Sequence, residues 1–113
     1  ALSHPASVDS IPTGAGKEDL VSMGMAAALK AARVVENLEA VLAIELMAAA
    51  AAIDLRRPLK TSPALQAVHA AVRTRVPELT VDRVLAGDIE TLRAMVREGE
   101  IRRAAESVTG ALS

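Results

Sequence analysis

Residues 18–55 read EDLVSMGMAAALKAARVVENLEAVLAIELMAAAAAIDL, and no proline interrupts these 38 residues. Alanine, leucine, methionine, glutamate and lysine dominate, all residues that lose little side-chain freedom in a helix. An apolar stripe steps by three or four through Val21, Met25, Ala28, Ala32, Val35, Leu38, Leu42, Leu46, Ala49 and Ile53, the period of a helix face. Glu18 and Asp19 stand at the start and Arg56 and Arg57 just past the end, as the helix dipole favours. Pro58 then stops the run. The spacing predicts one helix over 18–55, about 57 Å long at 1.5 Å per residue. A compact domain of this size has a radius of gyration of roughly 13 Å, so the helix outgrows any globule its own chain can build. From Ala40 to Ile53 only Glu45 is not hydrophobic. A helix apolar all round is buried all round, and the neighbours that bury this one are expected to come from the rest of a longer polypeptide or from other subunits.

On either side of that run the texture changes. Residues 1–17 hold Pro5, Pro12, Gly14 and Gly16 among Ser3, Ser7, Ser10 and Thr13, the composition of irregular chain. Beyond Pro58, Ser62-Pro63 reads as an N-cap with proline at the first helical position. The helix it opens is expected to run over 62–75, with Leu65, Val68 and Val72 inward and Pro77 as its stop. Thr80 to Ala86 reads as a short turn closed by Gly87. Asp88 is expected to cap a helix over 88–98 with Ile89, Leu92 and Val96 inward, ended by Gly99. Residues 100–109 add a last short helix. No strand pattern and no internal repeat is visible, and the class is all-α.

Composition excludes several kinds of activity. The 113 residues carry a net charge of −1, no cysteine and no Phe, Trp or Tyr. They therefore lack a disulfide framework, a thiol nucleophile and a cysteine metal site. Neither a basic surface for phosphates nor aromatic platforms for bases is present, which argues against a nucleic-acid partner. The strongly apolar uncharged stretch 20–29 is half of the roughly 20 residues a membrane span needs. The start of the sequence, with His4-Pro5 and serines, has no signal-peptide pattern, and a cytoplasmic location is expected.

Motifs that suggest chemistry read as structural on inspection. Gly14-Ala15-Gly16-Lys17 has the Gly-Lys of a phosphate loop, yet Ile11 and Glu18 occupy positions that need glycine and Ser or Thr. It reads as a turn. His4 and His69 have no partner at metal-ligand spacing on a shared helix face, so no metal site is expected, and His69 reads as a surface or satisfied structural histidine. Arg56, Arg57 and Lys60 read as complements to the carbonyl end of a helix. Glu45, among apolar neighbours, calls for a helix–helix contact, an arginine being the natural partner. Glu18 and Asp19, taken alone, are capping and dipole groups.

The sequence Ala1-Leu2-Ser3-His4-Pro5-Ala6-Ser7-Val8-Asp9-Ser10-Ile11-Pro12-Thr13, followed by Lys17-Glu18-Asp19-Leu20-Val21-Ser22-Met23, resembles the carboxy-terminal portion of the histidine ammonia-lyase family. The likeness continues through Leu42-Ala43-Ile44-Glu45-Leu46, Asp54-Leu55-Arg56-Arg57-Pro58-Leu59-Lys60-Thr61-Ser62-Pro63-Ala64-Leu65, Asp82-Arg83-Val84-Leu85-Ala86 and Asp88-Ile89-Glu90. The resemblance implies a helical bundle like that of the fumarase and aspartase superfamily, a homotetramer, and active sites shared between subunits. It implies elimination of ammonia from L-histidine to give urocanate. The electrophile of that family is a methylidene-imidazolone (MIO) ring formed from an internal Ala-Ser-Gly. No Ala-Ser-Gly and no tyrosine occurs in these 113 residues, so electrophile and base are expected from the missing amino-terminal part, and this piece alone is expected to be inactive.

Glu18 matches the acidic residue of the family's Gln-Glu-Asp segment. The resemblance gives it an active-site role toward the imidazole or the departing amine, a task that suits a carboxylate. Phenylalanine and tyrosine ammonia-lyases have glutamine there. Three features depart from the family: Gly14-Ala15-Gly16-Lys17 replaces Ser-Ala-Asn-Gln, Leu20 replaces histidine, and Lys17 puts a cation beside Glu18. An ion-paired Glu18 has a lowered pKa and is a poorer acid. The alternatives are a non-catalytic helical association module, a degenerate relative, or an ammonia-lyase for another aromatic amino acid.

Overall fold

The computed structural model describes residues 2–3 and 24–112. The expected irregular segment 1–17, apart from Leu2 and Ser3, lies outside the described residues. So do the start of the long helix at 18–23, and with it Glu18 and His4. The described secondary structure is entirely helical: α1 (Gly24–Leu55), α2 (Pro63–Arg75), α3 (Ala86–Arg97) and α4 (Glu100–Thr109).

The chain divides into two compact units, Ala1–Leu38 and Glu39–Ser113. In the first, the described helical residues present Met25, Leu29, Val34, Val35 and Leu38 to solvent. In the second, α2 packs on α4 and α3 packs on α4. Its core gathers Ala43 and Ala50 of α1, Val72 of α2, Val76, and Leu92 and Met95 of α3, with Met47, Ala71, Ile89 and Ile101 packed around them. Two alanines in a core of branched and thioether side chains let the helix backbone come close to its neighbours.

The covered face of α1 thus runs Ala43, Met47, Ala50, Asp54, one residue along from the expected Leu42, Leu46, Ala49, Ile53. One residue is about 100° of rotation on a helix. The reason is physical: where nearly every position is apolar, periodicity carries no phase. The expected inward face is half-buried at Leu42, Leu46 and Ile53 and exposed at Ala49.

Local signals for the shorter helices mostly hold. Ser62 Oγ accepts from the Leu65 N–H at 3.4 Å, and Pro63 opens α2. Val76 closes it, its N–H bonding the Val72 carbonyl at 2.9 Å, one residue before Pro77. Leu65, expected inward, is 52% exposed. The residues around Thr80 are not helical, and α3 starts at Ala86, two residues ahead of expectation. Asp88 is therefore not its cap. It lies in the first turn, where its carboxylate takes Arg83 Nε at 3.0 Å, while Arg83 also donates to the carbonyls of Pro77 and Glu78. One arginine thus ties the 77–85 connection to the positive end of α3. Gly99, with φ +75°, stands between α3 and α4, a left-handed position that glycine takes without strain. A bidentate contact of Arg97 with Glu39 joins α3 to α1 inside this unit. The Glu39 carboxyl is held below its usual range by that hydrogen bond, against a smaller opposing effect of burial.

Candidate functional site

The strongest concentration of polar chemistry among the described residues is Asp54, in the last turn of α1. An acid there opposes the helix dipole, so it needs cations from elsewhere. Arg73 on α2 supplies a cation, and His69, four residues before it on the same face, brings a ring nitrogen to the same carboxylate. His69 Nε2 lies 2.8 Å from Asp54 Oδ1. Arg73 donates to Oδ2 through Nε at 3.0 Å and through Nη2. A third donor, Arg57 Nη1, reaches Oδ1 at 3.4 Å, and Arg57 Nη2 binds both oxygens of Glu78 at 2.9 and 3.1 Å. Arg73 also donates to the Val76 carbonyl at 3.0 Å, so one guanidinium closes the end of α2 and holds the end of α1.

The Asp54 side chain is 3% exposed. Burial pushes its carboxyl upward, but the hydrogen bonds from Arg73 and His69, with their charge, outweigh that and leave it below the usual carboxylate range. Arg57 is pushed upward by its hydrogen bonds to Glu78. A carboxylate–imidazole pair can orient a general base. Here Asp54 is already neutralised by arginine, and His69 makes no hydrogen bond to a hydroxyl among the described residues. The arrangement clamps the end of α1 to α2.

His69 is a satisfied structural histidine. Arg57, expected to complement helix carbonyls, is an ion-pair bridge. Arg56 and Lys60 line an open groove with Ala49, Ala52, Ile53 and Leu59. Glu45 is exposed and has no ion pair with any described residue, so the expected arginine partner is not found among them. It borders a second, largely apolar groove with Leu42, Leu46, Ala49, Val68 and Ile101. Among the described residues no group of three or more His, Cys, Asp or Glu side chains is placed to hold a metal ion, and no helix is long and apolar enough to cross a membrane. Sequence reasoning missed Asp54. The available signal was an acid at the wrong end of a helix, followed by a His and an Arg at helical spacing.

The family model described as aromatic amino acid lyase matches residues 1–74. The chain belongs to the aromatic amino acid lyase family. Within that family it is 55% identical over 106 residues, 94% of its length, to histidine ammonia-lyase of Koribacter versatilis, of which it covers 20%. Among solved structures, tyrosine aminomutase from Streptomyces globisporus superposes with TM-score 0.87 at 41% identity, over 96% of this chain and 21% of that one. Histidine ammonia-lyase from Trypanosoma cruzi superposes with TM-score 0.86 at 43% identity, over 94% of this chain and 21% of that one. This lyase segment thus spans about a fifth of the length of the relatives it matches, and its helices adopt the fumarase/aspartase-like fold they share.

Proposed function

We propose that this chain is the carboxy-terminal portion of a histidine ammonia-lyase, an enzyme that converts L-histidine to trans-urocanate and ammonia. The observation that carries the reading is 55% identity to a histidine ammonia-lyase across 94% of the chain. In this role the segment supplies helices for a homo-oligomer, a homotetramer by the resemblance, and contributes Glu18 to the active site. A carboxylate at that place accepts a hydrogen bond from the imidazole or stabilises the cation of the leaving amine.

The methylidene-imidazolone of the family is made from the peptide itself, and its Ala-Ser-Gly is absent from these 113 residues. Lacking that tripeptide and any tyrosine, the segment alone is inactive under this reading, and its work is scaffold and positioning in a larger cytoplasmic enzyme. The division of labour that follows is an irregular active-site segment over 1–17 and a helical portion over 18–113.

The test is a chimera in which these 113 residues replace the matching segment of the Koribacter versatilis enzyme. Ultraviolet absorbance of urocanate gives the rate. We expect an active, oligomeric chimera, and Glu18→Gln in it to lower kcat on histidine about tenfold or more, the scale for losing one polar transition-state contact. An unchanged rate in that variant removes Glu18 from the site. A soluble, folded chimera with no activity contradicts the histidine reading. The likeness to tyrosine aminomutase favours a second reading, an enzyme for another aromatic amino acid, and turnover of tyrosine or phenylalanine in preference to histidine would support it.

A further inference from the structure

The chain past α4 does not run free. Gly110 closes the helix with φ +77°, its N–H bonding the Glu106 carbonyl at 2.9 Å. That left-handed turn, natural to glycine, sends residues 111–112 back along α4. There Leu112 gives both of its backbone groups to a charged pair one helical turn apart. Its N–H donates to Glu106 Oε1 at 2.9 Å, and its carbonyl accepts from Arg102 Nη2 at 2.8 Å. Arg102 Nε closes the ring by donating to the same Glu106 oxygen at 2.8 Å. The Glu106 carboxyl is held below its usual range, first by the Leu112 N–H and then by Arg102.

The clamp grips backbone alone, yet the residue it holds is apolar. The Leu112 side chain lines the largely apolar groove of about 550 Å³ together with Leu42 and Leu46 of α1, Val68 of α2, and Ile101 and Ala105 of α4. It stays 45% exposed there, so its burial adds only part of what a core leucine contributes. Two charge-assisted hydrogen bonds at an exposed site compete with water, and the ordering of three residues opposes them. Opposing effects of similar size leave a segment that opens locally without unfolding the helix it rests on.

We propose that residues 110–112 form a strap that gates the α4 end of this groove. Latched by Arg102 and Glu106, the strap seats Leu112 in the apolar lining; released, it uncovers Ile101 and Ala105. The occupant of this end of the groove is therefore the chain's own Leu112, and an apolar molecule that enters there must first displace it. The proposal does not depend on which amino acid the lyase acts upon.

Amide hydrogen exchange in the 113-residue chain, followed residue by residue by NMR, tests the latch. The Leu112 amide is expected to exchange about tenfold more slowly than that of its neighbour Ala111. Glu106→Ala removes the acceptor and keeps a strong helix former in α4. It is expected to speed exchange at Leu112 about fivefold or more while the amides of Val72 and Leu92 keep their protection. In the same variant, binding of the apolar dye anilinonaphthalene sulfonate is expected to rise about twofold as the groove end opens. Gly110→Ala reaches the open state by another route. Nothing lies within 4 Å of where its Cβ would stand, so the substitution penalises only the positive φ of the closed turn. Equal exchange at Ala111 and Leu112 in the unsubstituted chain overturns the latch, as does unchanged protection in both variants. Loss of protection at Leu112 with unchanged dye binding overturns the gate. Variants in which Val72 and Leu92 lose protection along with Leu112 overturn it too, because the strap then opens only with the fold.

Discussion

Two faces lie side by side over 42–56, along the second half of α1 and just past its end, and they have opposite fates. The face of Ala43, Met47, Ala50 and Asp54 is covered by α2 and α3, with Ala43 fully buried and Ala50 4% exposed. The adjacent face of Leu42, Glu45, Ala49, Ala52 and Arg56 lines open grooves. The two are about equally apolar, so hydrophobicity does not choose between them. What chooses is the pairing of the polar residue each carries. Asp54 finds its ion-pair partner inside the chain, in Arg73 of α2, and that fixes which way the helix turns. Glu45 and Arg56 find no ion pair among the described residues, and their face stays open.

The comparison is tested first at Asp54. Replacing it with Asn removes the charge that Arg73, His69 and Arg57 converge on and strands a largely buried guanidinium. Loss of one member of a buried pair costs about 3 kcal/mol or more, whereas Glu45→Gln on the open face should change chain stability by less than about 0.5 kcal/mol. Chemical denaturation of both variants checks this. The pH dependence has a definite sign. Asp54 has a folded-state pKa below its unfolded value of about 3.9. Its contribution is therefore complete above that value and is lost as pH falls through the lower folded pKa. Acid denaturation should begin as pH drops below about 4, and Asp54→Asn should flatten that limb.

The next largest effect is expected at Leu92, fully buried on α3. Leu92→Ala should cost about 3 kcal/mol through lost burial and the cavity left behind. Leu42→Ala, on the open face, should cost much less. A smaller contrast separates two neighbouring alanines. Ala50→Leu forces a large side chain into the packed face and should cost about 2 kcal/mol. Ala49→Leu should leave the fold intact. Equal thermal shifts for the two would erase the distinction between the faces. The smallest effect is expected at Ser62, whose cap hydrogen bond is long at 3.4 Å. Ser62→Ala should lower stability by about 0.5 kcal/mol, the low end for an N-cap.

These residues also show what a sequence can convey. The all-α class, the stop at Pro58, the Ser62-Pro63 start, the break at Gly99 and the 100–109 helix all follow from local chemistry: proline without an N–H, a serine that caps, a glycine free to take positive φ. The phase of α1 does not follow from local chemistry. With thirteen of the fourteen residues from Ala40 to Ile53 hydrophobic, rotation about the helix axis is set by tertiary partners, and the expected face is one residue away from the covered one. Asp88 was misread for a similar reason. An acid before an apolar run is an ordinary cap, and only the fold brings Arg83 beside it and moves the helix start to Ala86. For the candidate site, the polar clamp at Asp54 depends on α2 lying against the end of α1, which no local signal encodes. Glu18, whose proposed role comes from resemblance, lies outside the described residues.

The most direct test of the account is chemical denaturation of the 113-residue chain beside its Asp54→Asn and Glu45→Gln variants, one from each face. The account predicts a large loss of stability in the first variant and almost none in the second. Equal losses in the two would contradict it.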